Sequence, residues 1–404
     1  MKRTIALLCA ALLCFGLAAC GKNKKPAPAI NNGGQYVSYG GTVYYWKYNA
    51  ACIESSGVWG EFSDVPGASR NMARLGADGS EGLVFDADGY GGIWIHNDRF
   101  YLTRLDERGF PYIFSTSMTG GDRREIGPGE IFALDEAKNL LIATQRRDGG
   151  IFTYDTNAQA KEALPNMHAE LLFYDAPSAT LYYRDCSIGE YNAVKLCSID
   201  LEAKSVRDVA RIEFGDYDGL EEAQWAEFGN AWLDGDSLHV FIAGYGGTAR
   251  MYYGSAALVI DIAGDGVQLN ENPGESDWFG VNRPFSSNSE GPFQGSGGDC
   301  FGWYICPGDD GAPEIVLTEE ELAALGLPGG PYMHDDAFAA VRDVDYADGA
   351  LFFTIWQGPR NEAEDIGWRE AYGFGGMQVY CKDVATGQIK ELYSVNASES
   401  FANP

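Results

Sequence analysis

The sequence predicts an all-β protein folded as a β-propeller of seven four-stranded blades, with six or eight blades left open. Three observations predict it. Short runs that alternate apolar and polar residues, such as Thr42-Val43-Tyr44-Tyr45-Trp46-Lys47-Tyr48 and Asn139-Leu140-Leu141-Ile142-Ala143-Thr144, sit between turns rich in Gly, Asp and Asn. A period of two marks a strand with one buried face. A strand-turn-strand frame then recurs along the chain, and most copies follow another hairpin. Four antiparallel strands per unit, repeating at about 40 to 60 residues, is the arithmetic of a propeller blade. A β-sandwich gives short strands without such recurrence, and a β-helix needs a shorter period.

The N-terminus stands apart from these repeats. Lys2 and Arg3 precede an uncharged apolar run from Ile5 to Phe15, which is the pattern of a signal peptide and too short to span a bilayer as a mature helix. It ends in Leu17-Ala18-Ala19-Cys20-Gly21. These residues resemble the lipobox of bacterial lipoproteins, in which the cysteine thiol takes a diacylglycerol before cleavage. The resemblance implies a signal peptide over 1–19, a lipid on Cys20 and a tether over 20–34, whose Lys, Pro and Asn content suits a linker. A single propeller domain is expected over 35–397, then a tail over 398–404. The resemblance places the chain on the outer side of the bacterial cytoplasmic membrane or on the outer membrane, with the lipid as its only membrane contact.

The repeat itself is legible residue by residue. Ile113-Phe114-Ser115-Thr116-Ser117 with Ile126 aligns with Ile151-Phe152-Thr153-Tyr154-Asp155 and Leu164. The same frame returns as Leu196-Cys197-Ser198-Ile199-Asp200 with Val209 and as Val379-Tyr380-Cys381-Lys382-Asp383 with Leu392. Looser copies are Met72 to Gly76, Ala257 to Asp261, and Trp303 to Pro307. The seven frames centre on residues 76, 117, 155, 200, 261, 307 and 383, each read as the third and fourth strands of a blade. The first hairpin of the sixth unit, near Asp277 to Cys300, is poorly formed. One helix is expected, at Thr318 to Gly326, from a Thr/Glu capping box and the Gly326 and Pro328 stop.

Leu181-Tyr182-Tyr183-Arg184-Asp185 resembles a degenerate Tyr-Trp-Thr-Asp repeat of low-density-lipoprotein-receptor-type propellers, and Arg74 to Gly79 resembles the strand-turn that follows it. The resemblance spreads over residues 36 to 396 but departs from the strict Trp-Thr in every repeat. It implies the fold and, by likeness to bacterial surface lipoproteins, a surface location.

Closure of the ring and the cysteines are linked. The first and last units each hold four strands, so no strand is shared between the chain ends. A Cys52 to Cys381 bridge would close the ring, restricting the unfolded chain by about 4 to 5 kcal/mol in the entropic model. Ordinary buried thiols are the alternative. Cys186 and Cys197 are expected to face each other across a hairpin and to pair, in an oxidising location. Cys300 and Cys306 join only if the chain turns at Gly302.

Function is expected where the repeat is interrupted. The long connections are Ala51 to Ser69, Glu213 to Phe228, Asn270 to Gly298, Leu327 to Asp336, and Gln357 to Gly376. All are of the kinds that emerge on one face of a propeller, and such loops often carry function. They hold Trp59, Trp225, Trp278, Tyr332, His334 and Trp368, with Glu362, Glu364 and Asp365 nearby. Exposed aromatics there could stack on sugar rings or on apolar peptide side chains, or each could simply pack its own loop.

His334-Asp335-Asp336 is the local His/carboxylate cluster, while His96, His168 and His239 fall in or near strands and read as structural. No cofactor is expected. Calcium is left open by Asp86-Ala87-Asp88-Gly89 and Gly308-Asp309-Asp310-Gly311, which carry pieces of calcium loops without the later ligands. The 58 acidic residues against 29 basic ones give a net charge of −29, a field that disfavours nucleic acid as a partner. The sequence carries no zinc-protease helix, nucleophile elbow or phosphate loop. Two readings remain: a surface binding or scaffold module for a glycan, peptide or partner protein, and an extracellular carbohydrate-active hydrolase using Glu362, Glu364 or Asp365 with His334.

Overall fold

The computed structural model describes residues 29–48, 70–77, 79–87, 89–145, 150–164, 168–186, 192–247, 251–264, 266–269, 293–297, 300–305, 314–326, 337–359 and 376–396. They form seven antiparallel sheets, each from strands consecutive in the chain. The first holds β1 (Tyr36–Tyr39), β2 (Thr42–Tyr48), β3 (Arg70–Gly76) and β4 (Glu81–Asp86). The second holds β5 (Gly89–His96), β6 (Arg99–Leu105), β7 (Pro111–Ser117) and β8 (Arg124–Pro128). The third holds β9 (Glu130–Asp135), β10 (Leu140–Gln145), β11 (Gly150–Asp155) and β12 (Ala160–Ala163). The fourth holds β13 (Ala169–Asp175), β14 (Thr180–Asp185), β15 (Ala193–Asp200) and β16 (Ser205–Glu213). The fifth holds β17 (Trp225–Asp234), β18 (Ser237–Gly246), β19 (Met251–Asp261) and β20 (Val267–Leu269). The sixth shows β21 (Phe293–Gly297), β22 (Cys300–Ile305) and β23 (Glu314–Thr318), followed by α1 (Glu319–Ala324). The seventh holds β24 (Ala337–Ala347), β25 (Ala350–Pro359), β26 (Gly376–Asp383) and β27 (Ile389–Asn396).

Packing between sheets makes this a ring. Apolar clusters join the first sheet to the second, the second to the third, the third to the fourth, the fourth to the fifth, and the sixth to the seventh. A further cluster of Tyr36, Tyr45 and Ala73 with Phe352, Met377 and Tyr393 joins the seventh to the first. The core is therefore a series of blade-to-blade interfaces around an axis, as in a β-propeller, and the first strands touch between the first and second, fourth and fifth, and seventh and first blades. Burial follows the strand period, with every second residue of β18 buried along its length.

The sequence repeat has a structural cause. Six of its seven centres, 76, 117, 155, 200, 261 and 383, are the last residues of the third strands. At four of these an Asp closes the strand and its carboxylate accepts backbone N–H groups of the next turn: Asp155 from Asn157 and Ala158, Asp200 from Glu202 and Ala203, Asp261 from Ala263 and Gly264, and Asp383 from Thr386. An Asp side chain that substitutes for a turn's missing partner is favoured wherever that turn recurs.

The seventh centre, 307, falls differently. The connection between β21 and β22 is two residues long, like the first-to-second-strand turns at Gly40-Gly41, Asn97-Asp98 and Asp348-Gly349. Glu321 in α1 pairs with Lys382 at 2.6 Å, beside the end of β26 where a third-to-fourth-strand turn follows. Both facts set β21 to β23 as strands one to three of the sixth blade, with α1 after them. Trp303 to Ile305 thus lie in a second strand rather than a third. The helix expected at Thr318 is present, and Thr318 and Glu321 form the reciprocal capping box.

The cysteine expectations do not hold. Cys186 and Cys197 are separate thiols. The β14–β15 register places Tyr183, not Cys186, opposite Cys197, so the two sulfurs are offset along the hairpin. Burial raises the Cys197 thiol to a pKa of about 11. Cys381 is also an unbridged thiol, while Cys52 lies outside the described residues. β22 runs through Gly302 without a turn, which removes the condition for a Cys300 to Cys306 bond.

Closure is instead noncovalent and uses residues the sequence had assigned to the tether. Ala29 to Gln35 fold back as a strap along β1, with Ile30 bridging Ser38. The Gly33 N–H donates to Ile93 O and the Ile93 N–H to Gly34 O, both at 2.8 Å. The amide of Asn32 donates to Ile95 O and to Glu136, and its oxygen accepts from the Ile95 N–H. On the other side Asp345 of the seventh blade is buried and accepts from the Asn31 amide and from the N–H groups of Gln35, Tyr36 and Tyr346. Tyr36 stacks on Phe352 with centroids 4.6 Å apart. One strap thereby ties the seventh, first, second and third blades together.

Candidate functional site

Antiparallel alternation gives the ring two unlike faces. First-to-second and third-to-fourth strand turns lie on one, here termed the turn face. Second-to-third and blade-to-blade connections lie on the other, the loop face. Four of the five long connections expected from sequence, between β2 and β3, β16 and β17, β20 and β21, and β25 and β26, join strands whose facing ends lie at the loop face. The fifth follows α1.

The connection from β16 to β17 is the long one whose geometry is described. It opens with a 3-10 turn at Phe214–Asp216. Successive bonds from the N–H groups of Tyr217, Leu220 and Ala223 to Phe214 O, Tyr217 O and Leu220 O wind it compactly. Phe214, Leu220 and Ala223 are buried in the interface of the fourth and fifth blades. Backbone bonds run from Phe214 N–H to Asn192 O, from Asn192 N–H to Gln224 O, and from Gln224 N–H to Tyr245 O, lacing two connections and the end of β18 into one surface. Glycine is required where the insert meets β19. A Cβ on Gly254 would stand 2.1 Å from Gly219 O, and Gly219 itself has φ +86°.

The insert sets an aromatic corner. Trp225, the first residue of β17, stacks on its cross-strand partner Tyr245 with centroids 4.7 Å apart and planes 15° from parallel. Tyr253 lies against Gly246, where a Cβ would fall 2.4 Å from its ring, and is 41% exposed. The β16–β17 connection exposes Asp216, Asp218, Glu221 and Glu222, Glu221 accepting from the Gly219 N–H, and Glu213 before it pairs with Arg211. Toward the axis Arg184 donates to Glu170 at 3.2 Å and to Ala226 O at 2.8 Å, and lies over the Phe228 ring. Burial raises the pKa of Glu170, and Arg184 opposes that shift while the Glu227 charge adds to it. Exposed rings among carboxylates can take an apolar or sugar face and a neighbouring cation or hydroxyl group.

Of the predicted site residues, Trp225 belongs to this corner, though as a strand residue stacked on Tyr245 rather than a free loop aromatic. Cys20, Trp59, Trp278, Tyr332, His334, Trp368, Glu362, Glu364 and Asp365 lie outside the described residues. So do Asp88 and Gly308 to Gly311. Among the described residues no group of three His, Cys, Asp or Glu is placed to hold a metal ion, and no helix is long and apolar enough to cross a membrane. His96 bonds to Asn139, and His239 stacks on Trp232 at 4.8 Å, both structural contacts. Sequence reasoning missed Tyr245, Tyr253, Glu170 and Arg184. The paired signal was Tyr245-Gly246-Gly247 and Tyr252-Tyr253-Gly254 on either side of a short connection, where bare backbone leaves room for a ring.

No family model and no curated protein match the chain. Among solved structures it is similar to the β-propeller domain of the Trilobed protease from Pyrococcus furiosus, at 11% identity and a TM-score of 0.47, over 89% of this chain and 96% of that one. It is also similar to TolB from Acinetobacter baumannii, at 13% identity and 0.36, over 69% and 64% respectively. A chain of a nidogen/laminin complex matches at 13% identity and 0.31, over 88% and 94%. These similarities carry nothing about activity.

Proposed function

We propose that this protein is a lipid-anchored extracytoplasmic lipoprotein whose propeller is a binding or scaffold module for a glycan, a peptide or a partner protein. The observation that carries the binding reading is at the loop-face end of the fifth blade, where Tyr253 is exposed on the side of the acidic β16–β17 connection and the Trp225–Tyr245 stack ends the other side of the same sheet. Such a corner recognises a neutral sugar ring or an apolar-basic peptide, and the net charge argues against nucleic acid. The lipobox-like Leu17 to Gly21 supports anchoring through Cys20. Leu181 to Asp185, which form the second strand of the fourth blade, support a repeat of the low-density-lipoprotein-receptor type.

Glycan and peptide arrays on the soluble form beginning after Lys25 test the binding reading. Binding to one class is expected, with loss in Tyr253→Ala. No binding to either array, or binding unchanged in that variant and in Trp59→Ala and Trp368→Ala, overturns it. Anchoring is tested separately by incorporation of a labelled fatty acid, which Cys20→Ala should abolish.

A further inference from the structure

The strap enters the ring at the turn-face end of the axis, and we infer that the tether holds the turn face toward the membrane and presents the loop face, with its aromatic corner, to partners arriving from outside. The inference rests on the anchoring at Cys20 proposed above. Ala29 is buried, and its backbone bonds the carboxylate of Glu136, in the first-to-second-strand turn of the third blade. Ile30 pairs with Ser38, close to the Gly40-Gly41 turn that ends β1. The chain therefore leaves the ring on the turn face and near the axis.

Eight residues, 21 to 28, separate Cys20 from Ala29, and even fully extended they span at most about 30 Å. Bringing the loop face to the bilayer requires a path from the axis across four strands, roughly 15 Å, and then along a blade edge, roughly 25 Å more. The tether falls short of that path. The turn face exposes Asp98, Glu202, Asp236 and Asp348 against Arg123 and Lys204, with Asp122 paired to Arg99 and Arg124, so its balance is acidic and gives no attraction to anionic headgroups, leaving the lipid as its attachment.

The test uses the lipidated protein reconstituted into phosphatidylcholine vesicles whose headgroups carry a quencher. A fluorophore is coupled through an azide-bearing side chain in place of Glu202 on the turn face or of Glu107 on the loop face. Both proteins should float with the vesicles, and quenching should be several-fold stronger at position 202. A flexible spacer of about 40 Gly/Ser residues between Lys25 and Pro26 should bring the two positions close to equal. Equal quenching with the native tether, or stronger quenching at position 107, overturns the orientation. Failure to float and to take up labelled fatty acid would instead overturn the anchor, and the orientation with it.

Discussion

The two ends of the ring's axis are built from the same strands and differ in what they do with polar groups. At the turn face Asn31, Asn32 and Asp345 are buried, and their polar atoms go to backbone, to each other and to Glu136. At the loop-face corner the carboxylates of the β16–β17 connection are exposed, the Tyr253 ring lies against Gly246, and Trp225 stacks on Tyr245. A buried, saturated network favours one arrangement of the chain, because each unmade bond there costs the full desolvation of the group. An exposed acidic and aromatic surface adds little to stability and stands where a ligand can reach it. The first end fastens the ring and the second is available for contact.

Removing the fastening should give the largest effect. Asp345→Ala leaves three backbone N–H groups and the Asn31 amide without their acceptor, and a loss of about 4 kcal/mol is expected from urea unfolding of the soluble form. The same carboxyl gives a pH dependence of definite sign. Burial, opposed by its hydrogen bonds, raises the Asp345 pKa to about 6, above the value of about 3.9 in an unfolded chain. The folded state thus binds the proton more tightly, and this contribution is complete below about pH 4 and lost as pH rises through about 6. It amounts to about 3 kcal/mol between pH 4 and pH 7. Asp345→Asn should flatten that part of the profile, and an unchanged slope would mean that other carboxyls produce it.

A smaller effect is expected from Gly33→Ala. Gly33 has φ +98°, and a Cβ there would meet the Trp94 ring at 2.5 Å, so a loss of about 1 to 3 kcal/mol should appear in the same unfolding experiment. At the other end, Tyr253→Ala should cost under about 1 kcal/mol of stability while abolishing array binding. A loss of binding that merely tracks unfolding would remove the corner from the functional reading. Smallest of all, a reducing agent should shift the unfolding midpoint by no measurable amount, where a true Cys186–Cys197 bond would contribute about 2 to 4 kcal/mol.

What the sequence revealed of this comparison follows from period and locality. Third strands ending in Asp were visible because the strand alternation and the turn that Asp completes lie within a few residues of each other. The capping box at Thr318 and Glu321 was visible for the same reason. The strap was not, since Asn31-Asn32-Gly33-Gly34 has the composition of a linker, and its partners Ile93, Glu136 and Asp345 are distant in the chain. Composition reports what a segment can bond, not whether a pocket awaits it. The cysteine pairing failed through register: one bulge or turn residue more or less decides which side chains face each other across a hairpin. The aromatic corner was half legible, through Trp225, because long connections draw attention and the short one between Tyr245 and Tyr253 does not.

Amide hydrogen exchange on the wild type and Asp345→Ala tests most directly whether the strap closes the ring. The N–H groups of Gly33, Gln35, Tyr36 and Ile93 should exchange slowly in the wild type and much faster in the variant. Those of Leu238, Val240 and Leu258, in the fifth blade, should keep their protection. Uniform loss of protection around the ring, or a strap that exchanges freely in the wild type, would contradict the account.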